Sequence, residues 1–309
     1  MNATQPILVK NGIVMTFGKD MRVIPGGAVL IADGKVLAVG PEAEVAPKAA
    51  GLANLKVVDA KGCAVTPGLI IAHMHLYSTL SCGISCAPSH NFGEILDNLW
   101  WRLDKAMSLD DVRISAVIPA IRCLRAGVTT IIDHHASYGA TTGSLAAVSA
   151  ECKRVGLRAA MAYEVSDRWG EAACREAIDE NASFIRAAAE ANDPDVAALF
   201  GLHASFTLSQ ATLKACVDAA QGAGFHVHCA EDMADVLHAR SEGFEGAADR
   251  LIKLGIGGDK SIFGHCIHVT PAEVAALKAS GTTIVTNPQS NMNNAVGVAN
   301  VPNLLASGC

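Results

Sequence analysis

The stretch VTPGLIIAHMHLYSTL, residues 65–80, decides the fold. Its apolar first half is typical of a parallel strand that is buried on both faces. His73 and His75 end this strand with one residue between them, so both side chains leave the same face. Buried imidazoles cost desolvation free energy unless their nitrogens have partners, which are either backbone groups or a metal ion.

The composition bounds the class of protein. The 309 residues suffice for one large domain or two ordinary ones, and 50% of them are hydrophobic. The net charge of −6 includes no block of like charges, which argues against a nucleic-acid partner. We find no apolar run long enough to span a membrane and no secretory signal pattern. The ten cysteines form no CxxC pair, so we expect reduced thiols in a cytoplasmic protein.

Residues 1–64 are predicted to form a small all-β unit. Asn11-Gly12 and Asp33-Gly34 each stand between apolar runs and predict β-hairpins. Lys61-Gly62 marks a further break.

From Val65 onward, apolar strands alternate with helical stretches, which predicts a parallel sheet. The predicted strands are 65–75, 128–133, 158–165, 196–204, 225–231, 261–268 and 282–287. The predicted helices are 108–126, 141–155, 170–191, 208–223, 232–254 and 270–280. Seven strands are one short of a (β/α)8 barrel, and a doubly wound open sheet is the alternative. The first strand is not followed by a Gly-rich phosphate loop, which weakens the nucleotide-binding versions of that alternative.

The histidines are concentrated at the predicted strand ends. Of the eleven in the chain, all but His90 and His238 lie there. Active sites of (β/α)8 barrels lie at the carboxyl ends of the strands. One strand-end histidine is usually structural, but repetition at five strand ends favours a shared site.

Three of these histidines suit a catalytic metal site. His73 and His75 can supply two ligands and His228 a third, which leaves an open position. Glu231 lies just beyond the same strand as His228, where a carboxylate can shuttle protons. His265, on the next strand, can orient a water molecule or bind substrate. A divalent metal makes hydroxide available near neutral pH, so this set predicts hydrolysis at an electrophilic carbon.

Three segments resemble motifs of the amidohydrolase superfamily: TPGLIIAHMH its first-strand motif, HVHCAED its fifth and GHCIHVT its sixth. Within it, NLWWRLDKAMS, TTIIDHHAS and NPQSNMNNAVG most resemble the SsnA-type aminohydrolases, near guanine deaminases and the chlorohydrolase-like branch. The resemblance covers essentially the whole chain. It implies a small β-sandwich portion at 1–64 and a metal-dependent hydrolase domain at 65–309, folded as an α/β (β/α)8 TIM-type barrel.

The resemblance also implies the chemistry. It assigns one divalent metal, zinc or iron, to His73, His75 and His228, with Glu231 as proton shuttle and His265 beside the reactive water. The implied reaction is hydrolytic deamination of a purine- or pyrimidine-like heterocycle with release of ammonia. The alternatives are cyclic-amide hydrolysis or dechlorination at the same site, or a metal-binding fragment without turnover.

Other residues are candidates for substrate binding. The resemblance places His203 at a position that often contacts substrate. Trp100, Trp101 and Arg102 either form a lid that stacks on a flat substrate or pack the helix after the first strand. Because alternate residues of a strand point to opposite faces, at most one of His134 and His135 faces the pocket, and we assign His135. Asn291 either binds substrate or belongs to an Asn/Ser-rich turn.

The chain departs from the family pattern in one respect. The family takes an aspartate from the eighth barrel strand, and no TDG-like segment occurs up to Cys309. We therefore expect a C-terminally truncated barrel that lacks its eighth strand, and activity without that aspartate stays open. Exposed strand edges favour association, so we expect a homo-oligomer that acts on a small molecule.

Overall fold

The computed structural model describes residues 5–309, and the strands and helices below belong to that part of the chain. The strands are β1 Ile7–Met15, β2 Val23–Ala32, β3 Lys35–Pro41, β4 Lys56–Asp59, β5 Ala64–Val65, β6 Leu69–Met74, β7 Val128–His135, β8 Arg158–Tyr163, β9 Val196–Ala198, β10 Phe200–Ala204, β11 Phe225–Cys229, β12 Ile262–His265 and β13 Thr283–Val285. The α-helices are α1 Glu42–Val45, α2 Phe92–Ile95, α3 Trp101–Ala106, α4 Leu109–Arg125, α5 Ser144–Val155, α6 Glu171–Ala191, α7 Gln210–Ala220, α8 Met233–Ser241, α9 Ala247–Lys253, α10 Pro271–Ser280, α11 Pro288–Asn293 and α12 Val301–Ser307. The chain divides into two units, Met1–Leu69 and Ile70–Cys309, and the domain roles assigned from the sequence stay predictions.

The first unit contains a five-stranded sheet in the order β3-β2-β1-β4, with β5 also paired to β1. The β1–β2 and β2–β3 pairs are antiparallel, whereas β4 and β5 run parallel to β1. Leu8, Leu30 and Val45 are among the residues that form its apolar core.

The two dipeptides predicted to form hairpins behave differently. Asp33-Gly34 makes the predicted hairpin between β2 and β3, with both residues at positive φ, as a tight two-residue turn requires. The hairpin predicted at Asn11-Gly12 is wrong, because β1 runs straight through it as a bulged strand. Asn11 has a φ of 55°, and a Cβ on Gly12 would lie 2.6 Å from Val65. A left-handed residue followed by a glycine is also the pattern of a β-bulge.

The second unit is built from parallel strands that follow chain order. The two sheets are β6-β7-β8-β9 and β10-β11-β12-β13. An isolated parallel bridge between Val165 and Leu202 joins them, and β9 and β10 are successive segments of one strand position interrupted at Leu199. Seven strand positions in this order exclude a doubly wound sheet, in which the strand order reverses. They are the arrangement of a (β/α)8 barrel without its eighth strand, as predicted.

The helices predicted between these strands are present, with ends within three residues of the predicted ones, except for one. The Ser108 and Thr270 side chains cap α4 and α10 through capping boxes. The single helix predicted over 232–254 is wrong, because α8 and α9 are separate. Gly243, at φ 87°, ends the first of them, since this left-handed conformation does not continue a right-handed helix.

Two features position the site. Strands β6 and β13 are not paired with each other in residues 5–309, yet Asn287, just after β13, donates a hydrogen bond to the His73 carbonyl oxygen at 3.3 Å. The carboxyl ends of the first and last strands of this sheet therefore lie side by side. Within the same part of the chain, the helices are too short or too polar to cross a membrane.

Candidate active site

Histidines from three strands of the second unit meet at one point. His73 lies near the end of β6 with His75 just beyond it, His134 lies in β7 and His228 in β11. One ring nitrogen from each of the four lies within 4.8 Å of those of the others, and His228 Nε2 is 3.1 Å from His75 Nε2. The structure therefore brings together the three predicted ligands, and adds His134.

The cluster fits a divalent metal ion. Within residues 5–309, the buried His73 Nε2 and His134 Nε2 atoms have no hydrogen-bond partner, which is costly unless another group satisfies them. Burial, reinforced by the neighbouring imidazoles, holds the pKa values of His73, His134 and His228 well below their ordinary range. Neutral imidazole is the form that binds metal.

His75 is oriented by groups behind it. Its Nδ1 lies 2.6 Å from the His134 carbonyl oxygen and 3.3 Å from Glu164 Oε1, so Nε2 is left to face His228. Burial alone would raise the pKa of Glu164, but the nearby His75, His203 and Arg168 side chains outweigh it and bring the pKa to about 2. Partners of this kind fix the tautomer and orientation of a metal-binding histidine.

Asp133 stabilises the backbone immediately after His75. Its Oδ1 accepts a hydrogen bond from the Leu76 backbone N–H at 2.7 Å. Burial raises the pKa of this carboxyl to about 7, although the Leu76 hydrogen bond opposes the shift. Asp133 thus fixes the backbone that follows His75.

The predicted proton shuttle and its neighbour also lie together. Glu231 Oε2 is 3.5 Å from His265 Nε2, and Asn294 Nδ2 donates to Glu231 Oε1 at 3.2 Å. His265 Nδ1 is 2.7 Å from Asn291 Oδ1. Asn291 therefore contacts the His265 ring at the nitrogen that does not face Glu231, and fixes its orientation. Glu231, His265 and Asn294 line the cavity described below, whereas Asn291 is not among its lining residues.

Unusual backbone places these two catalytic candidates. Ala230, His265 and Cys266 have φ values of 48°, 67° and 47°, in the left-handed region that non-glycine residues seldom adopt. Three backbone hydrogen bonds stabilise the arrangement, from Cys266 N–H to the Cys229 carbonyl and from the Ile267 and His268 N–H groups to the Ala230 carbonyl. Such conformations concentrate at functional sites. Here they turn Glu231 and His265 out of their strands.

An open cavity of about 110 Å³ lies over the cluster. Tyr77, Phe92, Trp100 and Trp101 supply aromatic surface to its wall. The polar lining consists of His75, Ser78, Asp104, Glu164, Arg168, His203, His228, Glu231, His265, Ser290, Asn293 and Asn294. This combination suits a flat, polar ligand.

The predicted substrate residues fall into two groups. His203 and Trp101 line the cavity, with their rings 6.3 Å apart. Arg102 is exposed and donates from Nε to the Asp97 carbonyl oxygen. His135 is buried and its Nε2 lies 2.9 Å from Ser137 Oγ. The structure does not bring Arg102 or His135 to the cavity, and of the two adjacent histidines it is His134 that joins the cluster.

The lid and packing alternatives for the tryptophans are not exclusive. Trp100 and Trp101 line the cavity and also pack against the apolar cluster of Phe92, Leu96 and Val296. They are fixed parts of the cavity wall.

Sequence reasoning missed several cavity residues, including three charged ones, Asp104, Glu164 and Arg168. Glu164 follows directly after β8, so its strand-end position was an available signal. Arg168 and Asp104 meet across 64 positions of sequence, and no local pattern marks them.

Comparison with known proteins identifies the family. Residues 64–309 match the model of the amidohydrolase family. The 5'-deoxyadenosine deaminase of Methanosarcina mazei is 28% identical over 98% of this chain and 67% of its own length. The 5-methylthioadenosine/S-adenosylhomocysteine deaminase of Pelotomaculum thermopropionicum has the same identity and coverage.

Solved structures share the fold. A guanine deaminase from C. acetobutylicum with bound guanine gives a TM-score of 0.84 at 16% identity, over 98% of this chain and 73% of that one. An adenosine deaminase from Xanthomonas campestris with bound zinc gives 0.80 at 21% identity, over 98% and 67%. These similarities confirm the barrel-type fold. Since the family model spans most of the sequence, the chain belongs to the amidohydrolase family.

Proposed function

We propose that this protein catalyses the hydrolytic deamination of an amino-substituted, purine- or pyrimidine-like heterocycle, with release of ammonia. The observation that carries the proposal is the cluster of the His73, His75 and His228 rings, two of which, His75 and His228, line one cavity together with the Glu231–His265 pair. The deaminase names of the relatives from Methanosarcina mazei and Pelotomaculum thermopropionicum support the reaction type.

The cluster would hold the metal through His73, His75 and His228. We propose zinc, with iron as the alternative, because imidazole nitrogens suit both. The zinc named in the Xanthomonas campestris structure supports this choice. When bound, a divalent cation supplies Lewis acidity toward a water molecule at the cavity floor.

The residues of the chain move the protons. In the proposed reaction, water adds to the ring carbon that bears the amino group, and Glu231 takes a proton from that water. Glu231 passes it to the neighbouring ring nitrogen. Glu231 then carries the remaining proton of the added hydroxyl group to the amino group, the carbon–nitrogen bond breaks, ammonia leaves and a ring carbonyl remains. Asn294 holds Glu231 Oε1, so Oε2 is the atom beside His265. General acid–base catalysis of this kind contributes about 10²- to 10⁴-fold to a rate.

His203 and Trp101 are proposed to contact the heterocycle, because both line the cavity. The other three predicted substrate residues, Arg102, His135 and Asn291, do not line the cavity. Asn291 acts on the substrate through His265, whose Nδ1 it contacts at 2.7 Å.

We further propose a cytoplasmic homo-oligomer with no nucleic-acid or membrane partner. The net charge of −6 supports the absence of nucleic acid. Ile114, Ile118 and Ile121 are 56%, 46% and 43% exposed on α4, and exposed apolar surface of this kind supports self-association. Light scattering coupled to size-exclusion chromatography measures the oligomeric state.

Metal content and ammonia release test the proposed reaction together. The purified chain should carry about one divalent ion per subunit and release ammonia from members of a panel of aminopurines, aminopyrimidines and pterins. Glu231→Gln should keep the metal but lose about 10²-fold or more in kcat. His228→Asn should lose the metal, whereas His238→Asn, on the helix outside the cluster, should retain it.

Two outcomes would contradict deamination. A metal-loaded chain that releases no ammonia from any compound would support a non-catalytic metal-binding fragment. Ring opening or chloride release without ammonia would support the cyclic-amide or dechlorination alternatives.

A further inference from the structure

A buried arginine lines the cavity with most of its hydrogen-bonding capacity unused. The Arg168 side chain is 6% exposed, and its Nη2 donates to Asp104 Oδ2 at 2.6 Å. Within residues 5–309, its Nε and Nη1 atoms have no hydrogen-bond partner. Leaving buried charged donors unpaired is costly, so this arrangement is expected where a ligand supplies the acceptor.

The Arg168–Asp104 pair differs from a purely structural ion pair. A structural pair of arginine and carboxylate commonly makes two parallel hydrogen bonds, but Asp104 Oδ1 is also without a partner in the described part of the chain. Aromatic rings hold the guanidinium in place, with Cζ 4.6 Å from the Tyr138 ring centroid and 5.6 Å from that of Trp101. The guanidinium is therefore held in place while its Nε and Nη1 donors still lack acceptors.

A second donor lies on the same wall. The Trp101 ring lines the cavity, and its buried Nε1 has no partner among residues 5–309. An indole N–H can only donate. Two neighbouring side chains of the cavity wall thus present unused donors, which calls for an acceptor on the ligand.

Charge decides between a neutral acceptor and an anion. Asp104 already balances the Arg168 charge, and Glu164 and Glu231 add two more carboxyl groups to the cavity lining. A substrate carboxylate or phosphate at Arg168 would lie beside the Asp104 carboxylate that already pairs with the guanidinium, and the two like charges would repel each other. A ring carbonyl oxygen accepts the same hydrogen bonds without adding charge.

We propose that Arg168, positioned by Asp104, donates hydrogen bonds to an exocyclic oxo oxygen of the substrate. The heterocycles that this protein deaminates then carry a ring carbonyl as well as the amino group, unlike the adenosine-type compounds in the names of its curated relatives. This inference rests on the proposed deamination and narrows its substrate class.

Matched substrate pairs test the proposal. Each pair shares the amino position and differs in the oxo group: guanine against 2-aminopurine, and cytosine against 4-aminopyrimidine, with 5'-deoxyadenosine as a further oxo-free compound. The measured quantity is kcat/KM for ammonia release by the metal-loaded protein. The native protein should favour the oxo member of its preferred pair by about 10- to 100-fold, as expected when a charged hydrogen bond to substrate is lost.

Variants separate recognition from folding. Arg168→Met should lower kcat/KM for the oxo substrate by about the same 10- to 100-fold and leave the oxo-free partner nearly unchanged. Arg168→Lys, which keeps the charge, should be intermediate. Lys105→Met is the matched control, because Lys105 is a neighbouring exposed cation whose Nζ stacks 3.7 Å from the Trp169 ring centroid.

The outcomes are distinct. Equal kcat/KM for both members of each pair, or Arg168→Met lowering both equally, would overturn the oxo assignment and leave deamination standing. Preferred turnover of 5'-deoxyadenosine would also overturn it. Absence of ammonia from every compound would refute the proposed function, and the assignment that rests on it would fall with it.

Discussion

Replacing Arg250 by Met should strongly destabilise the unit that contains the candidate active site. Arg250 is 0% exposed. Its Nη1 donates to the Ser205 carbonyl at 2.9 Å and Nη2 to the Leu208 carbonyl at 2.9 Å, while Nε donates to Glu242 at 2.7 Å. These bonds fix the turn after β10, the strand that carries His203.

The magnitude follows from what Arg250→Met leaves behind. Ser205 and Leu208 are 0% and 2% exposed, so two buried carbonyl groups lose a charged donor. Each such loss costs about 1–3 kcal/mol. The Glu242 side chain is 30% exposed, so water can replace the lost hydrogen bond, and this loss adds little to the change in the free energy of unfolding. Met retains the apolar volume of the arginine stem. We expect a loss of about 3–5 kcal/mol in the free energy of unfolding.

Urea denaturation followed by tryptophan fluorescence measures this loss. Trp100, Trp101 and Trp169 all lie in the Ile70–Cys309 unit, so the signal reports on that unit. Glu242→Gln is the matched control and should change the free energy of unfolding by less than about 1 kcal/mol. Equal and small effects of Arg250→Met and Glu242→Gln would refute the reasoning, because they would show that the buried carbonyl groups do not depend on the guanidinium.

Two further substitutions address catalysis and pH dependence. Asn291→Leu removes the acceptor 2.7 Å from His265 Nδ1, and steady-state kinetics should show kcat falling about 10- to 100-fold, as for other residues that orient catalytic histidines, with little change in KM. A fall in KM alone would contradict this role. Burial, opposed by Arg168, raises the pKa of Asp104 to about 6, from an ordinary value of about 3.9. The protonated form therefore contributes stability that is complete below about pH 4 and is lost as the pH rises through 6. Relative to Asp104→Asn, the native protein should lose up to about 3 kcal/mol between pH 4 and pH 7 in denaturation experiments, and parallel pH profiles of the two proteins would contradict the assignment.

The histidine cluster could be predicted because it depends on only two regularities. Side chains two residues apart share a face of a strand, and the carboxyl ends of parallel strands meet at one edge. His73, His75 and His228 satisfy both, so their convergence did not require knowledge of any particular contact. The same regularities could not predict the backbone conformation at each strand end. The left-handed conformations of Ala230 and His265, which turn Glu231 and His265 into the cavity, follow from hydrogen bonds between neighbouring loops.

The part of the cavity wall formed by Arg168 and Asp104 could not be predicted in this way. Arg168 and Asp104 form their ion pair across 64 positions of sequence, and each alone is an ordinary charged residue of a loop or helix. The choice between His134 and His135 depended on how β7 sits between its neighbours, because strand periodicity shows only that they differ. The sequence favoured Arg102 as a substrate residue, yet its Nε bonds to the backbone of its own helical segment.

Glu164 lies between the histidine cluster and the proposed substrate contact His203. Its Oε1 lies 3.3 Å from His75 Nδ1 and 3.7 Å from His134 Nδ1, and its Oε2 lies 3.9 Å from His203 Nε2. The Arg168 charge also lowers the pKa of Glu164. One buried carboxylate therefore faces a proposed metal ligand on one side and a proposed substrate contact on the other. A substitution at Glu164 would alter metal binding and substrate recognition together. Arg168 and Asn291 are the better positions for testing substrate turnover apart from metal binding, because Arg168 bonds to Asp104 and Asn291 contacts His265, neither of which is a proposed metal ligand.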